Sequence, residues 1–180
     1  MASFAVILPA AGQSTRFASG QGKKTFLDLK GRAVWLRAAE VFVERDDVVQ
    51  TLVVVAPDDV EEFTERFRPN LAFMDVEIVS GGESRMESVA NALERVRDEA
   101  DFVAVHDAAR PLITGKWVDE VFAAAVEIGA AVPAVPISST LKRVNEEGLV
   151  DTTVDREGLF AAQTPQAYRR EVLVEAFRQR

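Results

Sequence analysis

The stretch FAVILPAAG, residues 4–12, decides how this chain is read. Its first five residues are apolar without alternation, as expected of a strand covered by helices on both faces. Proline and glycine then break the run, and the chain continues as PAAGQSTRFASGQGKKT, residues 9–25, with three glycines and three cations in seventeen positions. A glycine-bearing turn directly after the first strand of an α/β sheet lies at the carboxyl edge, where such sheets bind ligands. Glycine lets the backbone approach closely, and freed N–H groups can face phosphate oxygens, with Arg16, Lys23 and Lys24 adding positive charge. The loop matches neither standard phosphate motif: Phe17 stands where a Walker A loop needs glycine, and no G-x-G-x-x-G is present. The second absence disfavours an NAD-linked oxidoreductase. On these residues alone, a loop of solvated cations is the plainer alternative.

Outward from this stretch, short apolar runs alternate with segments of helical period. TLVVVA (51–56), VEIVS (76–80), FVAVHD (102–107) and AAVPAV (130–135) read as further strands, with helices near 34–45, 58–67, 84–97 and 115–128. The pattern predicts an α/β fold, a mostly parallel sheet flanked by helices. DDVE at 58 and SRME at 84 predict capped helix starts, Met86, Val89, Ala90, Leu93 and Val96 a buried stripe, and Gly129 a helix end. Trp35 and Trp117 are assigned to packing. After Pro136 the rhythm changes: STLKRV and LVDTTV flank NEEG, the pattern of a β-hairpin with a polar turn. Such an arm has too little apolar surface to stand alone and is expected to pack on a second subunit. The last stretch, YRREVLVEAFRQR, reads as an amphipathic helix.

Composition bounds the chemistry. With 180 residues, 48% of them hydrophobic, the chain suits one domain with a substantial core. A formal net charge of −8 argues against a broad nucleic-acid surface. An anionic ligand must then meet a local patch, and residues 1–37 supply one: Arg16, Lys23, Lys24, Lys30, Arg32 and Arg37 against the single acid Asp28. The sequence has no cysteine, which excludes disulfides, thiolate nucleophiles and sulfur-ligated metals, and the lone His106 excludes a histidine-rich metal site. The opening apolar run is too short and too proline-broken for a membrane span, so a soluble cytoplasmic protein is expected.

Two further stretches reach the same sheet edge. SGGESRMES (80–88) ends a strand with two glycines and opens a capped helix, bringing its backbone and the Ser84, Glu83 and Ser88 side chains to the edge as a second ligand wall, with Ser84 read chiefly as a cap. VHDAARPL (105–112) places Asp107 and Arg110 three residues apart, within reach of a metal-bound phosphate and a second anion, or simply of each other as a local ion pair. His106 alternates with Asp107 along the strand, so only one of them faces the site, and a buried imidazole is favoured over a general base.

Taken in order, PAAGQSTRF…KKTFLDLKG, SGGESRMESV, VAVHDAARPLI, VPISSTLKRV and TTVDREGLFAAQTPQAY resemble the 2-C-methyl-D-erythritol 4-phosphate cytidylyltransferases of the non-mevalonate isoprenoid pathway, over residues 4–180. The resemblance implies a Rossmann-like nucleotide-diphospho-sugar transferase fold in a single domain, residues 1–180, with a projecting β-arm at about 137–156. It also implies a homodimer formed through that arm, and a Mg²⁺-dependent reaction of CTP with methylerythritol phosphate. Carried over by position, Arg16 and Lys24 are the catalytic cations on the triphosphate. Ala10, Ala11, Gly12, Gly82, Glu83 and Ser88 would bind CTP. Asp107, Arg110 and Thr164 would bind the sugar phosphate, joined by Thr140 and Arg156 from the partner's arm, with Asp107 also the candidate metal ligand. Lys23 stands where the family usually has proline, so either lysine of the pair could take the phosphate role, and TFLDLKG favours Lys24. Glu83 stands where aspartate is common. The family pattern continues beyond Arg180 with a strand, a helix and another lysine, a segment the sequence does not contain. The nucleotide motifs are shared with cytidylyltransferases for other polyol phosphates such as ribitol 5-phosphate, and a non-catalytic nucleotide-binding domain is the reading from another class.

Overall fold

The structure, a computed structural model, describes residues 1–12 and 26–179. In chain order the elements are β1 (Phe4–Pro9), α1 (Val34–Val43), β2 (Val48–Val55), α2 (Val60–Met74), β3 (Val76–Ser80), α3 (Arg85–Leu93), β4 (Phe102–Val105), α4 (Gly115–Ile128), β5 (Ala130–Ala131), β6 (Ala134–Pro136), β7 (Leu141–Val144), β8 (Val150–Val154), β9 (Phe160–Ala162), β10 (Gln166–Arg169) and α5 (Arg170–Arg178). Six strands form one sheet in the order β3-β2-β1-β4-β10-β5. β1 pairs in parallel with β2 and β4, and β2 with β3, while β10 runs antiparallel to β4 and β5.

The unbroken apolarity of β1 and of residues 52–55 in β2 has a direct cause: successive side chains feed two cores on opposite faces. Val6, Leu8, Val53 and Val55 face one core with Phe42 of α1, Phe63 and Phe67 of α2, and Phe122 of α4. Ile7, Leu52 and Val54 face the other, with Val89 and Leu93 of α3 and Leu173 of α5. Aromatic stacking reinforces the first core, where the Phe4 and Phe122 ring centroids lie 3.7 Å apart and Trp35 meets Phe63 at 4.9 Å. In α1 the buried residues Trp35, Leu36, Ala38, Ala39 and Phe42 follow the helical period, which is why that segment forms a helix against the sheet.

Several expectations are corrected. The run at 130–135 is two strands, because Pro133 interrupts it; the second, β6, leaves the main sheet and pairs with β9. α2 runs past 67 and carries Pro69 inside it. An internal proline costs about 3 kcal/mol, and burial of Leu71 and Met74 on the same stripe as Phe63 and Phe67 offsets it at roughly 1.5–3 kcal/mol each. The DDVE cap does not form: residues Pro57–Asp59 make a 3₁₀ turn and Asp59 gives no side-chain cap to α2. In α3 the buried residues are Ser88, Val89, Ala92 and Leu93; the helix ends there and Met86 is exposed. Trp35 is buried but Trp117 is 42% exposed, so only the first has a core role. Gly129 does end α4, and β7 and β8 form the expected hairpin. Among the described residues, no helix is long and apolar enough to cross a membrane.

Candidate active site

The carboxyl ends of β1, β3 and β4 are tied together by the backbone. Ala10 N–H donates to the Val54 carbonyl at 2.7 Å, Gly81 N–H to Val55 at 2.8 Å, and His106 N–H to Ile7 at 2.9 Å. The turns that follow therefore open on one edge. A Cβ on Gly81 would lie 2.9 Å from both the Ala11 Cβ and the Ser88 Oγ, so the turns after β1 and β3 touch here only because residue 81 has no side chain. Ser88, buried in α3, accepts the Gly82 N–H at 3.1 Å. Ser84 caps α3: its side chain accepts from Glu87 N–H, while Glu87 Oε2 accepts from the N–H groups of Glu83 and Ser84 at 2.8 and 3.2 Å. The wall expected from Gly82, Glu83 and Ser88 is thus built from the backbone, with Ser88 and Glu87 as its fasteners.

The opposite side of the edge is ionic. Asp107, just beyond β4, receives Arg85 Nη2 on Oδ1 at 3.0 Å and Arg110 Nε on Oδ2 at 2.9 Å. Arg110 Nη1 in turn donates to Gln163 Oε1 at 2.7 Å. The ion pair foreseen as the plainer reading of Asp107 and Arg110 does form, and a second guanidinium joins it. Two cations on one carboxylate leave a net positive charge. All three side chains are partly exposed, so this charge is available to an anion in solvent. β10 runs opposite to β4, with Gln166 beside Val105, and so its entry carries Gln163 and Thr164 to the same place.

Arg85 and Gln163 were not singled out in the sequence. A signal for Arg85 was present: a cation in the first turn of a helix opposes the helix dipole, and its position there points to a partner elsewhere. Gln163 had no such signal.

Beneath this cluster lies His106, 1% exposed, with Nε2 3.1 Å from the Arg110 carbonyl and Nδ1 3.0 Å from Thr164 Oγ1. Burial pushes the imidazole below the ordinary histidine range, against the opposing effect of its bond to the Arg110 carbonyl. The buried, non-basic histidine read from the sequence is what the structure holds. Thr164 is itself buried and accepts the Asp107 N–H at 3.3 Å.

The edge thus gathers Ala10, Ala11, Gly12, Gly82, Glu83, Ser88, Asp107, Arg110 and Thr164 from the sequence-based set. Thr140 and Arg156 lie on the exposed arm, where Arg156 donates to the Ser138 carbonyl; neither has a hydrogen bond or ion pair to the cluster among the described residues. Arg16, Lys23 and Lys24 lie outside the described residues.

A family model for 2-C-methyl-D-erythritol 4-phosphate cytidylyltransferase matches residues 4–180. The chain belongs to that family. A protein so named from Rhodopirellula baltica is 40% identical over 98% of this chain and 76% of its own length. Another from Symbiobacterium thermophilum is 42% identical over 97% of this chain and 72% of its own. Among solved structures, the 2-C-methyl-D-erythritol 4-phosphate cytidylyltransferase of Thermus thermophilus superposes with a TM-score of 0.75 at 31% identity, over 99% of this chain and 76% of that one. A 4-diphosphocytidyl-2C-methyl-D-erythritol synthase gives 0.81 at 28%, over 100% and 80%. The family's fold is therefore this chain's fold, Rossmann-like with helices on both faces of the sheet.

Proposed function

We propose that the protein transfers a cytidylyl group from CTP to 2-C-methyl-D-erythritol 4-phosphate, giving 4-diphosphocytidyl-2-C-methyl-D-erythritol and pyrophosphate. The observation that carries this reading is the Arg85–Asp107–Arg110 cluster, held opposite a glycine wall at the carboxyl edge of a sheet whose family is named for that reaction. An oxygen of the acceptor phosphate attacks the α-phosphorus of CTP. A new P–O bond forms, the bond to the α–β bridging oxygen breaks, and pyrophosphate leaves with that electron pair. The nucleophile is already an anion, so no side chain need take a proton, which agrees with a site whose one histidine is buried. The barrier comes from bringing two polyanions together and from charge gathering on the leaving oxygens. Arg16 and Lys24 take the triphosphate in this reading, Gly82, Glu83 and Ser88 the cytosine, and Arg110 the acceptor phosphate.

Mg²⁺ is the expected cofactor. No group of three or more metal-binding side chains occurs among the described residues, and both Asp107 oxygens already accept from arginine. Asp107 would have to exchange one of those arginines to ligate the ion, so in this reading the ion is held mainly by nucleotide phosphates, the common arrangement for Mg²⁺. Bound there, it would offset charge on the phosphates.

Residues 1–180 act in this reading as one nucleotidyltransferase domain, in the cytoplasm, and as a homodimer. Val144, Leu149, Val150 and Phe160 are all more than half exposed on the arm and its base, apolar surface that a second subunit would cover. Thr140 and Arg156 would then enter the partner's site. The test is pyrophosphate release by the purified protein with CTP, Mg²⁺ and one polyol phosphate at a time, with the product read by phosphorus NMR. Release that depends on methylerythritol phosphate is expected. Release with ribitol 5-phosphate alone would reassign the acceptor, and CTP binding without release would make the chain a binding module.

A further inference from the structure

Four hydrogen bonds close a circuit under the ionic side of the site. His106 Nε2 faces the Arg110 carbonyl at 3.1 Å, Arg110 Nε donates to Asp107 Oδ2 at 2.9 Å, Asp107 N–H donates to Thr164 Oγ1 at 3.3 Å, and Thr164 Oγ1 lies 3.0 Å from His106 Nδ1. A carbonyl can only accept, so Nε2 carries a hydrogen. An imidazole 1% exposed, with no carboxylate bonded to it, is held neutral, so Nδ1 accepts and the Thr164 hydroxyl donates. The hydroxyl hydrogen of Thr164 is then committed inward, and its oxygen also holds the Asp107 N–H. This uses Thr164 to fix Asp107 rather than to donate to a ligand. The residue is itself anchored by its backbone N–H to the Ile7 carbonyl of β1, and its ring lies against the Phe42 ring, whose centroid is 5.3 Å away.

We infer that His106 is a positioning residue: fixed as the Nε2–H tautomer, it ties the Arg110 carbonyl to the Thr164 hydroxyl and so sets where Asp107 and Arg110 present their charges to the acceptor phosphate. For the transfer proposed above, on which this assignment rests, the consequence is selective. The acceptor side depends on His106, while the nucleotide wall of Gly82 and Ser88 is fastened separately through Ser88 Oγ.

His106 is the only histidine in the chain, so histidine-selective ¹⁵N labelling gives a single imidazole to observe. The expected spectrum at neutral pH has a protonated Nε2 and an unprotonated Nδ1; an Nδ1–H tautomer or an imidazolium would overturn the inference. In kinetics, His106→Phe removes both ring contacts, and His106→Gln keeps an N–H near the ε position. The Phe variant should lose roughly ten- to hundredfold in kcat/KM for the acceptor, through displacement of Arg110 and Asp107 by a fraction of an ångström to about one. Its KM for CTP should stay within about twofold, and the Gln variant should recover part of the acceptor loss. Combining His106→Phe with Thr164→Val should add little to either alone, because the two act as one unit. Equal losses for both substrates, or a folded Phe variant with unchanged acceptor kinetics, would overturn the positioning role. If the unaltered protein releases no pyrophosphate with any acceptor, the proposed function fails instead. The inference is then judged by the tautomer and by the Arg110 Nε–H resonance, which should shift in His106→Phe and, if unchanged, refutes the tie.

Discussion

Arg85, at the first position of α3, reaches the Asp107 carboxylate beyond β4 with 3.0 Å between Nη2 and Oδ1. The contact spans two elements and two motifs, and it joins the glycine wall to the ionic side of the edge, the nucleotide and acceptor sides of the proposed transfer. Arg85→Met keeps most of the side-chain length and removes the charge. Arg85 is about half exposed, so its ion pair contributes no more than about 1 kcal/mol to stability. Asp107 would remain bound to Arg110 alone and would turn. The expected result is a folded protein whose kcat/KM for the acceptor falls roughly tenfold to a hundredfold. Unchanged turnover in steady-state assays would show that Arg110 suffices.

Gly82→Ala tests the other wall. A Cβ at this position would sit 2.5 Å from the Glu87 Cβ and 2.9 Å from Glu87 Oε2. Glu87 must then move, and its carboxylate would release the N–H groups of Glu83 and Ser84. Loss of half a capping box costs roughly 0.5–2 kcal/mol, so thermal unfolding should shift down by several degrees. CTP affinity, measured calorimetrically, should weaken more than acceptor binding does. Equal affinity for CTP in the variant would remove Gly82 from the nucleotide wall.

How much of this was legible follows from where each signal lives. β1 to β4 were legible because residues such as Val6, Ile7, Leu52 and Val53 are apolar in sequence, as strands buried on both faces must be. The α3 cap was legible because Ser84 and Glu87 interact locally. β10 was not: in Gln166–Arg169 only Ala167 is buried, and the strand exists because β4 offers it an edge. Arg85 and Gln163 were missed for a related reason, since their partners are 22 and 53 residues away and only the sheet order brings them close. Trp117 was misread because helical spacing says which residues share a face but not whether anything covers that face.

The arm carries a prediction about assembly. Val150 and Phe160 are 63% and 59% exposed, and a charge on each would be harmless in a monomer but costly inside an interface. Val150→Asp with Phe160→Glu should give a folded monomer by light scattering, inactive because Thr140 and Arg156 no longer reach a neighbouring site. A complementary check mixes Arg156→Ala with Asp107→Asn. Each is expected to be inactive alone, and subunit exchange should restore activity by pairing an intact arm with an intact core. A wild-type protein that is already monomeric and active would refute the shared site.

Acid stability should depend on one contact at the start of the sheet. Asp101 Oδ2 accepts from the Ser3 N–H at 3.0 Å and the Ser3 hydroxyl at 2.9 Å, while the Ser3 carbonyl accepts from the N–H groups of Asp101 and Phe102. The backbone bond first, and then the hydroxyl, hold the Asp101 carboxyl below the ordinary aspartate value. A depressed value in the folded state means that the unfolded chain takes up its proton first as pH falls. The stabilisation is therefore complete above about pH 4 and drains away below it as the pH passes through the folded value. Asp101→Asn should thus be less stable than the unaltered protein at neutral pH, with the gap narrowing on acidification below about pH 4. Urea unfolding followed at a series of pH values checks this. A gap that stays constant across that range would mean that Asp101 stabilises by shape and packing alone, with its charge irrelevant to how β1 is pinned beside β4.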